Sequence, residues 1–314
     1  MPTSRACAAV LVGLLACGCA AGGPNEEPTD IRRDVDAVEL VLGGDVMFGR
    51  WRGEQWTLYQ NEVMLRAIGA ATEGADVTLV NLETALCDDQ KTVVDSGAIR
   101  LTAPPGRART LAEAGIDLVT LANNHALDCG SHSVLTTVRA LARAGVGSFG
   151  IDDRSAHHQW QSDDAQVIAI GATVHPPRSP ADFEGERPRV LLGHDIAPMV
   201  ERVSALRAQH PDAILVVSMH WGVEGATEPS AWQRESARAL VDAGADVIHG
   251  HGSHTVQGIE HYGGAAIAYG LGNLHFDMRR GATTRRVVAR VGCRAGAQRR
   301  CDIRLVELGD ADSR

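Results

Sequence analysis

The sequence has few aromatic residues, no excess of positive charge and no CxxC motif. Aromatic residues make up 4% of the 314 residues, and the formal net charge is −9. An acidic chain without a lysine- or arginine-rich cluster lacks the electrostatic footprint of a nucleic-acid-binding protein. The missing CxxC spacing argues against a zinc site built from four cysteines. We therefore expect no nucleic-acid partner.

Glycine and aliphatic residues are plentiful. The chain contains 34 glycines, and 44% of its residues are hydrophobic while 22% are charged. This composition is typical of a globular protein with one sizeable core. The glycines favour a site built from loops on a layered α/β scaffold.

The N-terminus has the pattern of a secretory signal. Arg5 precedes an apolar run over residues 8–16, which is too short to span a bilayer. Residues 14–17 read Leu-Leu-Ala-Cys and resemble a bacterial lipobox, which makes Cys17 the expected lipid anchor. Cys19 is a weaker lipidation candidate, and a plain signal peptide without lipidation is the alternative.

These features predict a domain order and a location. We expect a lipoprotein signal over residues 1–17, a flexible linker over 18–37, one domain over 38–280 and a C-terminal β-hairpin over 281–314 that completes it. The proline-rich segment 176–188 is predicted to be a surface excursion. The predicted location is outside the cytoplasm, in the periplasm or on the cell surface, with the lipid anchor as the sole membrane contact.

Four cysteines lie in the exported domain and are expected to form disulfides. Cys293 and Cys301 flank a turn between two β-like runs, so a hairpin disulfide is the simplest pairing. Cys87 and Cys129 would then pair by elimination. Four cysteines allow three connectivities, and the residues alone do not decide among them.

Short aliphatic runs alternate with segments of helical period, which predicts a layered α/β (α+β) fold. Helical spacing occurs over residues 134–142, 196–206 and 232–243. The strand-like runs cover residues 38–42, 77–80, 118–121, 167–170, 214–218, 247–248 and 265–269.

Polar residues follow five of these runs at the point where each strand should end. Because ligands bind at the carboxyl ends of strands in open α/β sheets, the side chains should converge on one cleft. The residues are Asp45; Asn81 and Glu83; Asn123, Asn124 and His125; His220; and His249, His251 and His254.

Oxygen and imidazole ligands without thiolate suit Mn²⁺, Mg²⁺, Fe²⁺ or Zn²⁺. Each residue alone has an ordinary structural explanation, because an Asp after a strand can cap a helix and a lone His can be a hydrogen-bonded core residue. The repetition at five strand ends favours a site for one or two divalent ions.

Six ordered blocks resemble the signature motifs of the CapA capsule-synthesis family, the poly-γ-glutamate family. The resemblance runs from about Val38 to Asp277. The blocks are residues 44–47 (Gly-Asp-Val-Met), 81–83 (Asn-Leu-Glu), 122–130 (Ala-Asn-Asn-His-Ala-Leu-Asp-Cys-Gly), 220–224 (His-Trp-Gly-Val-Glu), 250–260 (beginning Gly-His-Gly-Ser-His) and 269–277 (beginning Tyr-Gly-Leu-Gly-Asn).

The resemblance implies kinship with calcineurin-like metallophosphoesterases, and hence a metallophosphatase-like two-layer β-sandwich flanked by helices. It implies that Glu83 is the bridging carboxylate and that His125 protonates a leaving group. The metal ligands that it implies are Asp45, Glu83, Asn124, His220, His251 and His254, with Asn124 also assigned to catalysis. Substrate contacts are expected from Asn81, Asn123, Glu224 and Asn273.

The motifs depart from the phosphoesterase pattern at two places. Met47 occupies the position where those enzymes carry a histidine, and two residues separate His251 from His254. Both one ion and two ions are compatible with this ligand count.

Two functions are compatible with these residues. The first is a metal-dependent hydrolase or transferase that acts on an anionic polymer or a phosphoester in capsule synthesis. The second is a non-catalytic component that binds polymer during capsule assembly or export, together with other capsule-synthesis proteins. The Asn124-His125 pair favours the enzyme, because a scaffold has no need of it.

Overall fold

The computed structural model describes residues 37–52, 55–88, 99–151, 157–162, 165–176, 195–278, 280–294 and 299–308. The predicted signal with Cys17, the linker up to residue 36 and the excursion beyond residue 176 lie outside the described residues. Among the helices that the structure describes, none is both long and apolar enough to cross a membrane.

One sheet contains seven strands. They are β1 (Ala37–Val46), β4 (Val77–Leu82), β7 (Leu118–Thr120), β8 (Gly147–Phe149), β15 (Asn273–His275), β16 (Val287–Arg294) and β17 (Arg300–Glu307). Three parallel strands lie on one side of β1, and an antiparallel C-terminal hairpin lies on the other, in the order β17-β16-β1-β4-β7-β8. β15 pairs with the end of β1. The strand β1 is therefore central to this sheet.

The second sheet contains six strands. They are β9 (His157–Gln161), β10 (Gln166–Thr173), β11 (Ile214–His220), β12 (Val247–His251), β13 (Ile259–Tyr262) and β14 (Ala265–Ala268). Their order is β13-β14-β12-β11-β10-β9. The four central strands are parallel, and both outer strands are antiparallel to their neighbours.

Five α-helices and two small two-stranded sheets complete the described structure. The helices are α1 (Glu62–Thr72), α2 (Arg107–Glu113), α3 (Ser131–Ala144), α4 (Ala197–Gln209) and α5 (Ala231–Asp242). The small sheets pair β2 (Gly49–Arg52) with β3 (Gln55–Leu58), and β5 (Ala85–Leu86) with β6 (Thr102–Ala103). A short 3₁₀ helix spans Gly281–Thr284.

The core has three apolar layers because strand side chains alternate between faces. Leu40 and Leu42 face the second sheet, whereas Val41 lies under helices α1 to α3. In the second sheet, Val216 faces the first sheet and Val217 lies under α4 and α5. The two sheets therefore pack face to face with helices on both outer surfaces.

This architecture confirms the predicted two-layer β-sandwich flanked by helices, with its C-terminal hairpin. Each of the seven predicted strand runs overlaps an observed strand. The three predicted helical segments correspond to α3, α4 and α5. Helices α1 and α2 were not predicted from the sequence. Helix α1 begins at Asn61, whose side chain accepts a hydrogen bond from the Met64 amide, and it buries Met64 and Ile68 at helical spacing.

Gly44 lies directly against the backbone of Gly272, in the segment that joins β14 to β15 beside Asp45. A Cβ at Gly44 would overlap the carbonyl of Gly272, and the Asp45 amide already donates a 2.8 Å hydrogen bond to that oxygen. Gly44→Ala should therefore lower the free energy of unfolding by about 2 kcal/mol or more, as measured by chemical denaturation. Gly106→Ala is the control, because a Cβ there has no atom within 4 Å. It should change stability by less than about 0.5 kcal/mol. Equal effects would contradict the close approach.

Candidate metal centre

The candidate site lies where the carboxyl ends of strands from both sheets meet. Asp45 lies at the end of β1, and His220 and His251 are the last residues of β11 and β12. Glu83 and His254 follow β4 and β12 in short loops. The structure therefore brings together the side chains that the strand-end pattern predicted to converge.

The first group of candidate ligands contains Asp45, His220 and His251. One donor atom from each lies within 4.8 Å of the others. The Nδ1 atoms of His220 and His251 are 3.0 Å apart, and His251 Nδ1 is 3.7 Å from Asp45 Oδ1. Asn124 lies beside this group, with its Oδ1 3.0 Å from His220 Nε2.

The second group contains Asp45, Glu83 and His254. His254 Nδ1 lies 3.1 Å from Asp45 Oδ2, and His254 Nε2 lies 3.9 Å from Glu83 Oε1. The family resemblance implied that Glu83 bridges two ions, whereas Asp45 is the carboxylate common to both groups. Met47, at the position where a histidine was expected in the phosphoesterase pattern, is fully buried and packs against Leu101 and Phe276 in a small apolar cluster.

Burial and neighbouring charges shift the protonation of the second group strongly. Burial alone would raise the pKa of Asp45, but the hydrogen bond from His254 and the nearby histidines hold it well below its ordinary value. Burial, with the charge of Asp45, raises the pKa of Glu83 to about 7. Burial would lower the pKa of His254, yet Glu83 and Asp45 raise it to about 10.

The histidines of the first group have lowered pKa values, in contrast to His254. Burial lowers the pKa of His220 to about 3, and it holds the pKa of His251 well below its usual value. Neutral imidazoles have the lone pairs that metal ions require. The first group therefore presents neutral nitrogen donors beside an ionised carboxylate.

The donor set fits a divalent cation. Glu83 Oε2 is buried and has no hydrogen-bond partner among the described residues. Buried polar atoms normally have partners, so this oxygen is placed for a ligand that is not part of the chain. Gly252 adds a steric feature, because a Cβ there would lie 2.8 Å from the His220 ring. Oxygen and imidazole donors of this kind suit Mn²⁺, Fe²⁺ or Zn²⁺.

His254 is the sole described non-glycine residue with positive φ, at 59°. Only a few per cent of non-glycine residues adopt this left-handed conformation, histidine more often than most, and such conformations are found at functional sites. The conformation directs the imidazole toward Asp45 and Glu83. A hydrogen bond between His254 Nδ1 and Asn273 Oδ1 at 2.9 Å fixes the ring further.

The three asparagines predicted to contact substrate lie inside the protein. Asn81 donates to Asp45 Oδ1 at 2.8 Å, and Asn123 donates to Asn81 Oδ1 at 2.9 Å. Asn81, Asn123 and Asn273 are all 0% exposed. We predicted that these asparagines contact the substrate directly. Their burial and their hydrogen bonds favour a different role, in which they orient the candidate metal ligands.

Glu224, the fourth predicted contact, is exposed and lines an open groove of about 740 Å³. Arg50 and Asp277 in this groove form a bidentate ion pair at 2.7 and 2.8 Å. Arg50 also covers the Phe276 ring, which contacts His254 at 4.9 Å between ring centroids. The groove therefore adjoins the second ligand group.

His125 forms a buried dyad with Asp128, a residue that the sequence analysis did not single out. His125 Nδ1 lies 2.6 Å from Asp128 Oδ2, and His125 Nε2 lies 3.8 Å from Glu83 Oε1. Asp128 also accepts a hydrogen bond from the Leu101 amide at 2.6 Å. Its position three residues after His125 in the same motif was the available signal.

Two disulfides join the four cysteines of the domain in the predicted pairs. Cys87 and Cys129 have a Cα separation of 6.4 Å, and Cys293 and Cys301 have one of 4.2 Å across the β16–β17 hairpin. Cys129 directly follows Asp128. The first disulfide therefore links the loop that carries the dyad to the segment that follows Glu83.

Comparisons with known proteins agree with this architecture. The family described as "Bacterial capsule synthesis protein PGA_cap" matches residues 39–278. "Capsule biosynthesis protein CapA" of Bacillus anthracis is 28% identical over 256 residues, which cover 78% of this chain and 61% of that protein. The chain thus spans less than two thirds of the length of that relative.

Two further matches extend the comparison. The "Probable polyglutamine synthesis accessory protein" of Mycobacterium tuberculosis is 32% identical over 289 residues, covering 77% of this chain and 75% of that protein. The crystal structure of a hypothetical protein from Thermus thermophilus has a TM-score of 0.50 at 14% identity, covering 86% of this chain and 99% of that chain. The latter likeness concerns the fold alone.

The position of the Cys87–Cys129 disulfide generates a prediction about local rigidity. Cys87→Ser/Cys129→Ser should increase amide hydrogen exchange in residues 121–130. The reason is that the loop carrying His125 and Asp128 loses its disulfide to the segment that follows Glu83. Cys293→Ser/Cys301→Ser is the control, since that disulfide lies in the C-terminal hairpin. Both double variants should lose about 2–4 kcal/mol of stability. Exchange in residues 121–130 that rises equally in both variants would contradict a local role.

Proposed function

The chain belongs to the bacterial capsule synthesis protein family PGA_cap, and we propose that it is a metal-dependent hydrolase or transferase that acts on an anionic polymer or a phosphoester. The observation that carries the proposal is the convergence of two ligand groups on Asp45 beside the His125–Asp128 dyad. The names of the relatives from Bacillus anthracis and Mycobacterium tuberculosis support a role in capsule or polyglutamine synthesis.

Six residues would hold the ion or ions in this proposal. They supply carboxylate, amide and imidazole donors and are Asp45, Glu83, Asn124, His220, His251 and His254. A divalent ion bound there supplies Lewis-acid chemistry, which activates water and polarises a carbonyl or phosphoryl oxygen.

His125 is suited to hold and move the proton. The Asp128 carboxylate can only accept, so Nδ1 of His125 carries a hydrogen and Nε2 is the atom that exchanges a proton with substrate. Asp128 fixes the ring orientation and stabilises the imidazolium form. In its imidazolium form, which carries a hydrogen on both nitrogens, His125 then donates from Nε2 to the leaving oxygen or nitrogen.

The adjoining groove would accommodate the substrate chain. It presents the guanidinium groups of Arg50 and Arg280 together with the carboxylates of Asp277 and Glu224. Mixed charges of this kind can pair with both the acidic groups and the amide groups of a polymer. We propose that this groove, not the buried asparagines, makes the direct contacts with the substrate.

The cell envelope is the proposed location. The support is the N-terminal secretion pattern with Cys17, together with two disulfides that an oxidising compartment would maintain. On this proposal the lipid anchor keeps the domain at the membrane surface, where other capsule-synthesis proteins would be its partners.

Single substitutions separate proton transfer from metal binding. His125→Ala should lower turnover by roughly 10²- to 10⁴-fold and leave the bound metal unchanged. Asp45→Ala should lose metal and activity together, because Asp45 belongs to both ligand groups. His261→Ala is the control, since that histidine is exposed and lies on β13. Elemental analysis and steady-state kinetics with Mn²⁺ on a bis-aryl phosphate and a γ-linked glutamate oligomer provide the measurements.

Three outcomes would contradict parts of this assignment. Equal metal loss in His125→Ala and Asp45→Ala would make His125 a ligand. Full activity in His125→Ala would exclude His125 from the proton transfer. Polymer binding by the wild-type protein without any turnover would support the non-catalytic assembly component instead.

A further inference from the structure

A chain of buried polar groups lies behind His251, on the side away from Asp45. Ser218 Oγ is 2.9 Å from both His251 Nε2 and His249 Nδ1. His249 Nε2 is in turn 2.7 Å from the carbonyl oxygen of Gly43. Ser218, His249 and His251 are all 0% exposed, so water does not compete for these hydrogen bonds.

The direction of each hydrogen bond in this series of polar groups follows from the last group, the Gly43 carbonyl. The Gly43 carbonyl can only accept, so Nε2 of His249 must carry the hydrogen. Nδ1 of a neutral His249 is then an acceptor, and the Ser218 hydroxyl donates to it. Having used its single hydrogen, Ser218 Oγ accepts from His251, which places the hydrogen of His251 on Nε2.

The consequence appears on the opposite side of the His251 ring. With the hydrogen on Nε2, the lone pair of Nδ1 points toward His220 Nδ1 at 3.0 Å and Asp45 Oδ1 at 3.7 Å. The other tautomer would place a hydrogen in that space and remove a donor from the first ligand group. We propose that Ser218 and His249 are positioning residues, which hold His251 in the tautomer that a divalent cation can use.

The strand register explains how these groups meet. Ser218 pairs with His249 and His220 pairs with His251 across β11 and β12. Residues two apart on a strand share a face. The candidate ligands His220 and His251 therefore form one cross-strand row, and Ser218 and His249, here called the relay, form the next. Gly43 belongs to β1 of the other sheet, two residues before Asp45. The relay therefore connects the sheet that carries Asp45 to the sheet that carries His220 and His251.

The tautomer can be measured without any metal, although its purpose rests on the proposed metal centre. Two-bond ¹H–¹⁵N correlation spectra of the metal-free wild-type protein should show His249 and His251 both protonated at Nε2 and not at Nδ1. A His251 ring protonated at Nδ1 would overturn the proposal outright. This readout decides the relay even if the wild-type protein proves to be inactive.

Substitution of Ser218 tests the consequence for metal binding. Ser218→Ala should produce a mixture of His251 tautomers and weaken Mn²⁺ binding by about 10- to 100-fold in calorimetric titration, the range for lost partners of metal-binding histidines. Ser218→Thr keeps the hydroxyl and should restore both readouts. Ser236→Ala is the control, because Ser236 is equally buried but lies in α5. Unchanged affinity and tautomer in Ser218→Ala would refute the relay, as would equal losses in the Thr and Ala variants.

Discussion

The described structure is organised around a carboxylate that has no access to water. Asp45 is 0% exposed, yet its pKa lies well below the ordinary value, so the group is ionised inside the protein. A buried charge of this kind is tolerated only when partners surround it. Asn81, His254 and the Gly252 amide donate to its two oxygens, and those partners come from both sheets. The junction of the sheets and the candidate site are therefore the same feature.

Close backbone contact is the second requirement of this arrangement. Gly44 has no room for a side chain beside Gly272, and Gly250 has none beside Tyr269. Gly252 lets its chain turn tightly past the His220 ring. Glycine at these positions allows strand ends to approach closely enough for candidate ligand atoms on different strands to lie within 4.8 Å of one another. At these three positions of the site, close contact with neighbouring atoms leaves no room for a side chain, which explains the glycine there.

Much of the fold and the ligand set could be predicted because both leave periodic signals. Buried strands appear as aliphatic runs, and the polar residues directly after them identify the carboxyl edge. Asp128 and Ser218 could not be identified in this way, because an Asp in a turn and a Ser in a strand have no distinguishing pattern. Their roles follow from distances to His125 and His251 that only the folded chain provides. The roles of Asn81, Asn123 and Asn273 depended similarly on burial, which the motifs alone do not reveal.

On the proposed function, Asp45 and its neighbours bind a divalent cation. Crystals of the protein grown with Mn²⁺ and measured near the manganese absorption edge test this, because anomalous scattering locates the ion independently of any assumed ligand. We expect one or two peaks within coordination distance of Asp45, each also contacted by His220 and His251 or by Glu83 and His254. Crystals that contain Mn²⁺ at other positions but show no peak beside Asp45 would contradict the account.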